Sequence, residues 1–318
     1  MMRLVLVFGF LVMSLGPVTA QSKKLPLIGW LRVASPEQPL GKPLIDALAA
    51  RGLIDGRDYR LEVRDAKGDV TRMPELARDL VKDRPEIIVA FGPTAALAAK
   101  AETSTIPIVA ASAFIEEGLA LSLARPQGNL TGVSLLVAEI DPKKLEVLKE
   151  VIPDTRHVAV LNDSTTRIAD RPRVMAAGAA TLGLQLTTVE VAGPTEFEAA
   201  FGTFRQAGAT ALVVNASTLF ATLRAEIGSL ARKYQLPAIC QWRSMVEAGC
   251  LASYGFPIDE LFELIAEQVH KVLNGARPED LPITQPRRFE LVINLKIARE
   301  LGITIPQRML DRADQVIE

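Results

Sequence analysis

The chain alternates short apolar runs with amphipathic stretches from residue 25 onward. Apolar runs rich in β-branched residues predict strands at 25–32, 59–65, 86–91, 106–111 and 130–136. Apolar residues at three-and-four spacing predict helices between them, at 43–52 and most clearly at 73–82. Continuous apolar strands that alternate with helices are typical of parallel sheets covered on both faces. The pattern therefore predicts an α/β protein.

The same order of elements begins again at residue 157. Strands are predicted at 157–163, 184–191, 211–218 and 236–242, with helical stretches between them. The correspondence is closest between 87–112 and 211–242, which each read as strand, small-residue junction, helix and X-Pro strand. The repeat predicts two Rossmann-like parallel-sheet lobes of one topology.

Candidate chemistry lies at the carboxyl ends of the predicted strands, where ligands gather in open parallel α/β sheets. Two facing lobes would form a cleft lined from both sides. Both tryptophans fall at such strand ends, although aromatic residues are only 5% of the chain. An aromatic, largely apolar cleft suits a small organic ligand, whereas the alternative is that the tryptophans cap the two cores. The candidate ligand-binding residues are Trp30, Arg32, Gly92, Thr94, Ala95, Ser112, Phe114, Asn162, Asn215, Trp242 and Tyr254.

The junction Gly92-Pro93-Thr94 joins a strand directly to an alanine-rich helix. Glycine permits close backbone approach, and proline suits the first helical turn because it lacks an N–H that would go unpaired there. A carboxylate would fit at this helix N-terminus, beside the Thr94 hydroxyl. Arg32 is a second candidate for a carboxylate, and Glu116, Glu117 or Asp163 for an ammonium group. An ordinary tight turn remains the alternative for the junction.

The first twenty residues place Arg3 before an apolar stretch and end in small residues, which predicts a secretory signal peptide cleaved after Ala20 and a periplasmic protein. The formal net charge of −1 offers no basic surplus for nucleic acid. Isolated His157 and His270 lack the spacing of metal ligands, so neither a metal nor a cofactor is expected.

The two cysteines, Cys240 and Cys250, bracket a predicted short helix between two strands. This arrangement is expected to leave them at opposite strand ends, too far apart to bridge. An oxidising compartment would nevertheless permit a disulfide, so the pairing stays open.

Five stretches of the chain resemble one family, the periplasmic solute-binding proteins of ABC importers, in the group related to tryptophan- and tyrosine-type binding proteins. The matching stretches are 76–109, 122–134, 143–161, 236–255 and the closing RRFELVINLKIARELGITIPQRMLDRADQVIE. The resemblance implies a type I periplasmic-binding fold with a three-segment hinge. Besides the signal peptide predicted at 1–20, it places lobe 1 at 25–132 plus 256–285, and lobe 2 at 133–255 plus 286–318. It also implies that the helix 258–275 packs on lobe 1 and a helix at 289–302 on lobe 2.

In similar proteins the loops after the first, third and fourth strands of lobe 1 hold the ligand carboxylate, which points to Thr94 and Ser112. Relatives usually carry Gly-Asp-Pro after the fourth strand, whereas this chain has Ala-Phe-Ile-Glu-Glu at 113–117. Phe114 is therefore expected to make the binding cleft more apolar.

The function implied is capture of a small carboxylate-bearing solute, an amino acid or an aromatic or branched organic acid, and its delivery to an ABC permease in the inner membrane by a monomer. A sensor input for a membrane receptor is an alternative that the sequence does not separate from transport. An exported α/β enzyme is disfavoured, because no Gly-x-Ser-x-Gly motif, metal cluster or strand-end histidine is present in the sequence. A sugar-responsive regulator of this fold would carry a helix-turn-helix instead of a signal peptide.

Overall fold

The computed structural model of the chain describes residues 25–33, 42–166, 168 and 170–318. The predicted signal peptide and its cleavage after Ala20 lie outside the described residues. No helix of the described ranges is long and apolar enough to cross a membrane.

The first lobe is built on a five-stranded parallel sheet with the strand order β2-β1-β3-β4-β5. Its strands are β1 (Leu27–Arg32), β2 (Arg60–Asp65), β3 (Ile87–Phe91), β4 (Ile108–Ser112) and β5 (Leu130–Ser134). Its helices are α1 (Lys42–Ala49), α2 (Met73–Lys82), α3 (Pro93–Glu102) and, from later in the chain, α10 (Ile258–Leu273). Every residue of β1, β4 and β5 is buried, as expected for strands covered on both faces.

The second lobe is built on a seven-stranded sheet with the order β12-β11-β10-β9-β8-β6-β7. Its strands are β6 (His157–Asp163), β7 (Gln185–Val191), β8 (Ala211–Val214), β9 (Ala238–Cys240), β10 (Ala252–Gly255), β11 (Glu290–Asn294) and β12 (Gln315–Ile317). Its helices are α4 (Val137–Val151), α5 (Arg171–Thr181), α6 (Phe197–Gln206), α7 (Thr218–Thr222), α8 (Arg224–Lys233), α9 (Arg243–Glu247), α11 (Leu295–Glu300) and α12 (Gln307–Arg312).

The first five strands of each lobe follow one spatial order, 2-1-3-4-5 in the order of the chain. This order is that of doubly wound α/β sheets, which bind ligands beyond the carboxyl ends of their strands. The prediction of two parallel-sheet lobes with one topology is therefore confirmed.

The end of the chain differs from the prediction of a single helix at 289–302. Glu290–Asn294 forms β11, which pairs antiparallel with β10, and only Leu295–Glu300 is helical. The four residues at 291–294 are buried, and β11 pairs with the edge of β10 that faces away from β9. This pairing outweighs the local helical pattern. Asn294 then caps α11, because its side chain accepts a hydrogen bond from the Ile297 N–H at 3.0 Å.

The chain passes between the two sheets in three segments, after β5, after β10 and before β11. Two of them are tied together, since Ser134 N donates to Thr284 O at 2.8 Å and Thr284 N donates to Gly132 O at 2.9 Å. The segment before β11 is also held against α10, where the Glu260 carboxylate accepts from the N–H groups of Arg287 and Arg288 at 3.0 and 3.1 Å. The lobe boundaries at 132, 255 and 286 stay a prediction.

A disulfide joins Cys240 to Cys250, and the expectation that the two residues lie too far apart is wrong. Their Cα atoms are 6.5 Å apart, within the range that a disulfide spans. The chain bends at Leu251, and β10 begins only at Ala252, so Cys250 is not carried to the far end of a strand. Its N–H donates to Met245 O at 3.0 Å, which holds it beneath α9.

Replacing both cysteines by alanine is expected to lower the free energy of unfolding by about 2 to 4 kcal/mol, because the cross-link restricts the unfolded chain. Urea unfolding without reductant measures the difference from the wild type. The wild type unfolded with reductant present should approach the double variant. Equal unfolding free energies of the two proteins under oxidising conditions would contradict a stabilising bond.

Candidate ligand-binding site

The two lobes touch where the carboxyl ends of their strands meet. Thr222 Oγ1, at the end of α7, donates to Val33 O beyond β1 at 3.3 Å. Gly92, which follows β3, lies so close to α7 that a Cβ atom there would be 2.5 Å from Thr218 Cγ2. The loops that follow β1 and β3 therefore meet the helix that follows β8.

A cavity of about 680 Å³ lies beside this contact and is lined by both lobes. This volume is in the usual range for small-molecule sites. The first lobe contributes the ends of β1 and β3 and one face each of α1 and α10, and the second lobe contributes α7 and the start of α9. The lining residues are Trp30, Arg32, Val33, Lys42, Pro43, Asp46, Ala47, Ala50, Phe91, Thr218, Ala221, Thr222, Trp242, Ser244, Ile258, Asp259, Phe262 and Glu263.

Four aromatic side chains from different elements form much of the apolar wall. Phe91 stacks on Phe262 with ring centroids 5.2 Å apart, and Trp30 meets Phe262 edge-on at 6.0 Å. Trp242 lines the cavity from the second lobe. Aromatic walls in these geometries favour a flat apolar group.

Among the described residues that line the cavity, Arg32 is the one charged residue that is buried, with 5% of its surface exposed. Its Nε donates to Asp65 Oδ2 at 3.0 Å, and its Nη2 lies 2.9 Å from the same oxygen. The guanidinium also lies over the Trp30 ring, 5.0 Å from the centroid. Asp65 on the neighbouring strand thus fixes a cation next to the aromatic wall.

The junction after β3 has the predicted local form. Gly92 has φ +92°, a conformation that favours glycine, and Pro93 opens α3 without a side-chain cap. Thr94 is half-buried and Ala95 is buried, and both lie outside the described cavity lining. A carboxylate at this helix N-terminus stays a prediction.

The polar side chains at the strand ends of the second lobe form hydrogen bonds within their own lobe. Asn215 Nδ2 donates to Asn162 Oδ1 at 2.6 Å, and Lys144 Nζ donates to Asn215 Oδ1 at 3.2 Å. Asp163 accepts hydrogen bonds from the hydroxyls of Ser217 at 2.5 Å and Thr165 at 2.6 Å. These side chains form hydrogen bonds with one another, and none of them is among the described residues that line the cavity.

Beneath them lies a buried ionic triad of Asp141, Lys144 and Arg171. Lys144 Nζ is 2.9 Å from Asp141 Oδ1, and Arg171 Nε donates to Asp141 Oδ2 at 2.7 Å. Burial opposes the charge of Asp141, but the two cations outweigh it and lower the pKa of this carboxyl. Burial lowers the pKa of the Lys144 ammonium, against the pull of Asp141. Arg171 Nη2 also donates to Ala216 O at 3.3 Å, which ties the triad to the end of β8.

Three other predicted site residues lie in different surroundings. Phe114 is wholly buried in the first-lobe core, in one cluster with residues of α2 and α3, so it does not line the cavity. Ser112 is buried and donates to Glu117 Oε2 at 2.5 Å. Tyr254 stacks on Phe289 at 6.0 Å, beside two of the segments that connect the lobes. Their roles in ligand binding stay predictions.

The structure thus brings together Trp30, Arg32 and Trp242 in the described lining, with Gly92 at the adjoining contact between lobes. Sequence reasoning missed Phe91, Phe262, Thr218 and Thr222. Phe91 is the last residue of β3, so its strand-end position was a usable signal. Phe262 lies on α10, whose packing on lobe 1 the resemblance implied, but the residues of this helix that reach the cavity are visible only in the tertiary structure.

Glu117 lies half-buried behind the end of β4, where Ala113 N also donates to its Oε1 at 3.3 Å. Burial raises the pKa of this carboxyl to about 7, and its hydrogen bonds and the charge of Arg171 oppose the shift without cancelling it. The folded protein therefore holds this proton more tightly than the unfolded chain.

The stability of the wild type relative to Glu117→Gln is expected to fall as the pH rises from about 4.5 to about 7. The contribution is complete below the ordinary carboxyl pKa and is lost through the raised one. Because the group is partly exposed, we expect a change of about 1 to 2 kcal/mol. Urea unfolding of both proteins between pH 4.5 and 8 measures it, with Glu116→Gln as the control. A pH-independent difference would contradict the assignment.

Within the described ranges, no group of three or more His, Cys, Asp or Glu side chains is placed to hold a metal ion. Of the two histidines, the ring Nε2 of His157 is hydrogen-bonded to Thr187 Oγ1 at 2.8 Å, and His270 lies on α10.

Comparisons with known proteins agree with this architecture. An ABC domain from Streptococcus pneumoniae, crystallised in complex with L-Trp, is 27% identical with a TM-score of 0.84 and matches over 92% of this chain and 100% of its own. A conserved domain protein from Vibrio cholerae is 25% identical with a TM-score of 0.85, over 92% and 100% of the two chains. The tyrosine-binding protein of Clostridioides difficile is 27% identical over 256 residues, which are 80% of this chain and 73% of that protein.

The family whose model matches residues 40–317 is described as ABC transporter substrate binding protein. The match spans both lobes, and the predicted type I periplasmic-binding fold is confirmed. This chain belongs to the family of ABC transporter substrate-binding proteins.

Proposed function

We propose that the protein captures a small carboxylate-bearing solute, an amino acid or an aromatic or branched organic acid, and delivers it to an ABC permease for import. The observation that carries the proposal is the cavity of about 680 Å³ between the lobes, with an aromatic wall and a buried guanidinium. The L-Trp complex and the tyrosine-binding relative support a ligand that combines a ring with a carboxylate.

Binding would work through lobe closure and without catalysis. The two lobes meet beside the cavity at Thr222 and Val33 and at Gly92 and Thr218, so a ligand that contacts both lobes would favour the closed arrangement. Closure changes the surface that the permease meets, and occupancy is thereby signalled. Trp30, Arg32 and Trp242 are the residues we propose to contact the ligand, with Gly92 needed for closure.

The protein is further proposed to be exported to the periplasm, cleaved after Ala20 and monomeric. Mass spectrometry of the protein from the periplasmic fraction tests the cleavage, and light scattering of the mature chain tests the monomer. A mass that retains residues 1–20 would contradict the cleavage, and absence of the protein from the periplasmic fraction would contradict the export.

Isothermal titration calorimetry of the mature protein with amino acids, aromatic acids and branched-chain acids tests the binding step. We expect at least one carboxylate to bind with a heat that Trp30→Ala abolishes and Trp30→Phe retains in part, since the phenyl ring preserves an aromatic contact. Uptake of that compound by cells that lack the gene tests delivery. Binding that is unaffected by both Trp30 variants would contradict the site.

A further inference from the structure

Some side chains that line the cavity carry buried polar atoms without hydrogen-bond partners. Within the described part of the chain, three cavity-lining side chains carry a buried polar atom without a hydrogen-bond partner: Trp30 Nε1, Arg32 Nη2 and Trp242 Nε1. All three are N–H donors, and tryptophan and arginine side chains have no acceptor. The unsatisfied buried side-chain atoms of the described lining are therefore all donors.

The Arg32 donor is unsatisfied although Asp65 is near. Its Nη2 lies 2.9 Å from Asp65 Oδ2 as an ion pair, but the hydrogen bond to that oxygen comes from Nε. The guanidinium can thus keep Asp65 while Nη2 donates to a second carboxylate, because arginine has five N–H donors in a planar fork. A ligand anion would satisfy a donor that is otherwise buried at a cost.

The carboxylates of the lining are unsuited to an ammonium group. Asp46, Asp259 and Glu263 are all exposed at the rim. Asp46 is ion-paired with Lys42 at 2.6 Å, and Glu263 is 3.9 Å from Arg288. Exposed carboxylates remain hydrated and repay little of the cost of burying a cation.

The hydroxyl groups of the lining do not compensate the charge of an ammonium group either. Thr218, Thr222 and Ser244 are neutral, and the Thr222 hydroxyl already donates to Val33 O. A neutral oxygen can accept a hydrogen bond from an ammonium group but does not offset its charge. An α-amino acid would therefore enter with its carboxylate matched and its ammonium unmatched.

We infer that the ligand is an aromatic carboxylate without an α-ammonium group, an inference that rests on the proposed function. Its ring lies among Trp30, Phe91, Phe262 and Trp242, and its carboxylate receives hydrogen bonds from Arg32. The amino acid class of the characterised relatives is the alternative.

Calorimetry with matched compounds separates the two classes. Indole-3-propionate, L-tryptophan and tryptamine share one ring system and differ in the carboxylate and the ammonium. 3-Phenylpropionate, L-phenylalanine and phenethylamine repeat the comparison with a smaller ring. We expect the acid of at least one series to bind at least tenfold more tightly than its amino acid, and neither amine to bind.

The outcomes of this calorimetry test the inference and the proposed function separately. If an amino acid binds more tightly than its matched acid, the inference is overturned and the proposed function stands. If an amine binds most tightly, both are overturned. If none of the six compounds binds, the inference falls, and a wider screen in which no carboxylate binds removes the proposed function as well.

Variants of Arg32 test the donor directly. Arg32→Lys keeps the charge beside Asp65 but loses the fork, and we expect it to weaken binding of the tighter acid at least fivefold. The double variant R32Q/D65N removes both charges of the ion pair together, and it should weaken the acid at least tenfold while tryptamine still does not bind. Arg64→Gln, on the neighbouring strand and paired outside the cavity with Glu62 and Asp83, is the control. Unchanged acid affinity in folded R32Q/D65N would overturn the assignment.

Discussion

Replacing Lys144 by alanine is expected to lower the free energy of unfolding by about 3 to 5 kcal/mol. The side chain is fully buried, and its Nζ contacts Asp141 Oδ1 at 2.9 Å and donates to Val214 O at 3.2 Å. Its removal leaves a cavity and leaves Asp141 with Arg171 as its sole cation among the described residues. A buried carboxylate with too little positive charge around it is costly. Urea unfolding of the mature protein measures the loss.

The neighbouring lysine supplies a matched control. Lys143 is partly exposed and pairs with Glu146 at the surface, so Lys143→Ala should change the unfolding free energy by less than about 1 kcal/mol. Both variants remove one positive charge from adjacent positions of α4. Equal effects of the two would show that the triad contributes little beyond net charge.

This pair of lysines also shows where sequence reasoning ends. The run Lys143-Lys144 reads as two solvated charges on a helix face, and nothing local distinguishes one from the other. Lys144 is buried because α4 packs on β8, β9 and β10, which come from other parts of the chain. Buried polar networks of this kind depend on tertiary contacts that a single sequence does not display.

Elements governed by local signals were predicted more closely. The predicted helix 73–82 agrees with α2, since its proline lies in the first turn and Met73, Ala77 and Leu80 form the buried stripe. Trp30 and Trp242 were placed at strand ends, and the topology brought both to one cavity. Asn162 and Asn215 were also at strand ends, but they pair with each other, and Lys144 donates to Asn215. A strand-end position therefore predicts proximity to the cleft and not the direction of a side chain.

Gly92→Ala is expected to weaken ligand binding by about 1 to 3 kcal/mol, or roughly 5- to 150-fold. Two effects act at this position. The φ of +92° disfavours any side chain, and a Cβ atom would lie 2.5 Å from Thr218 Cγ2 and 3.0 Å from Thr218 Oγ1. Because Thr218 belongs to the other lobe, the clash acts against the closed arrangement more than against folding. Calorimetry with the tightest acid or amino acid of the six compounds measures the loss.

Two further variants separate the clash from the backbone strain. Gly128→Ala places the same methyl group at φ +78° with no atom within 4 Å, so it should carry the strain without the loss of affinity. Adding Thr218→Ala to Gly92→Ala removes the two nearest atoms and should restore part of the binding. Small-angle scattering gives a readout that needs no knowledge of the ligand, since Gly92→Ala should have a larger radius of gyration than the wild type when the lobes are held apart. If Gly92→Ala binds as tightly as the wild type and has the same radius, the contact between Gly92 and Thr218 is not part of closure, and the lobes must close about other points.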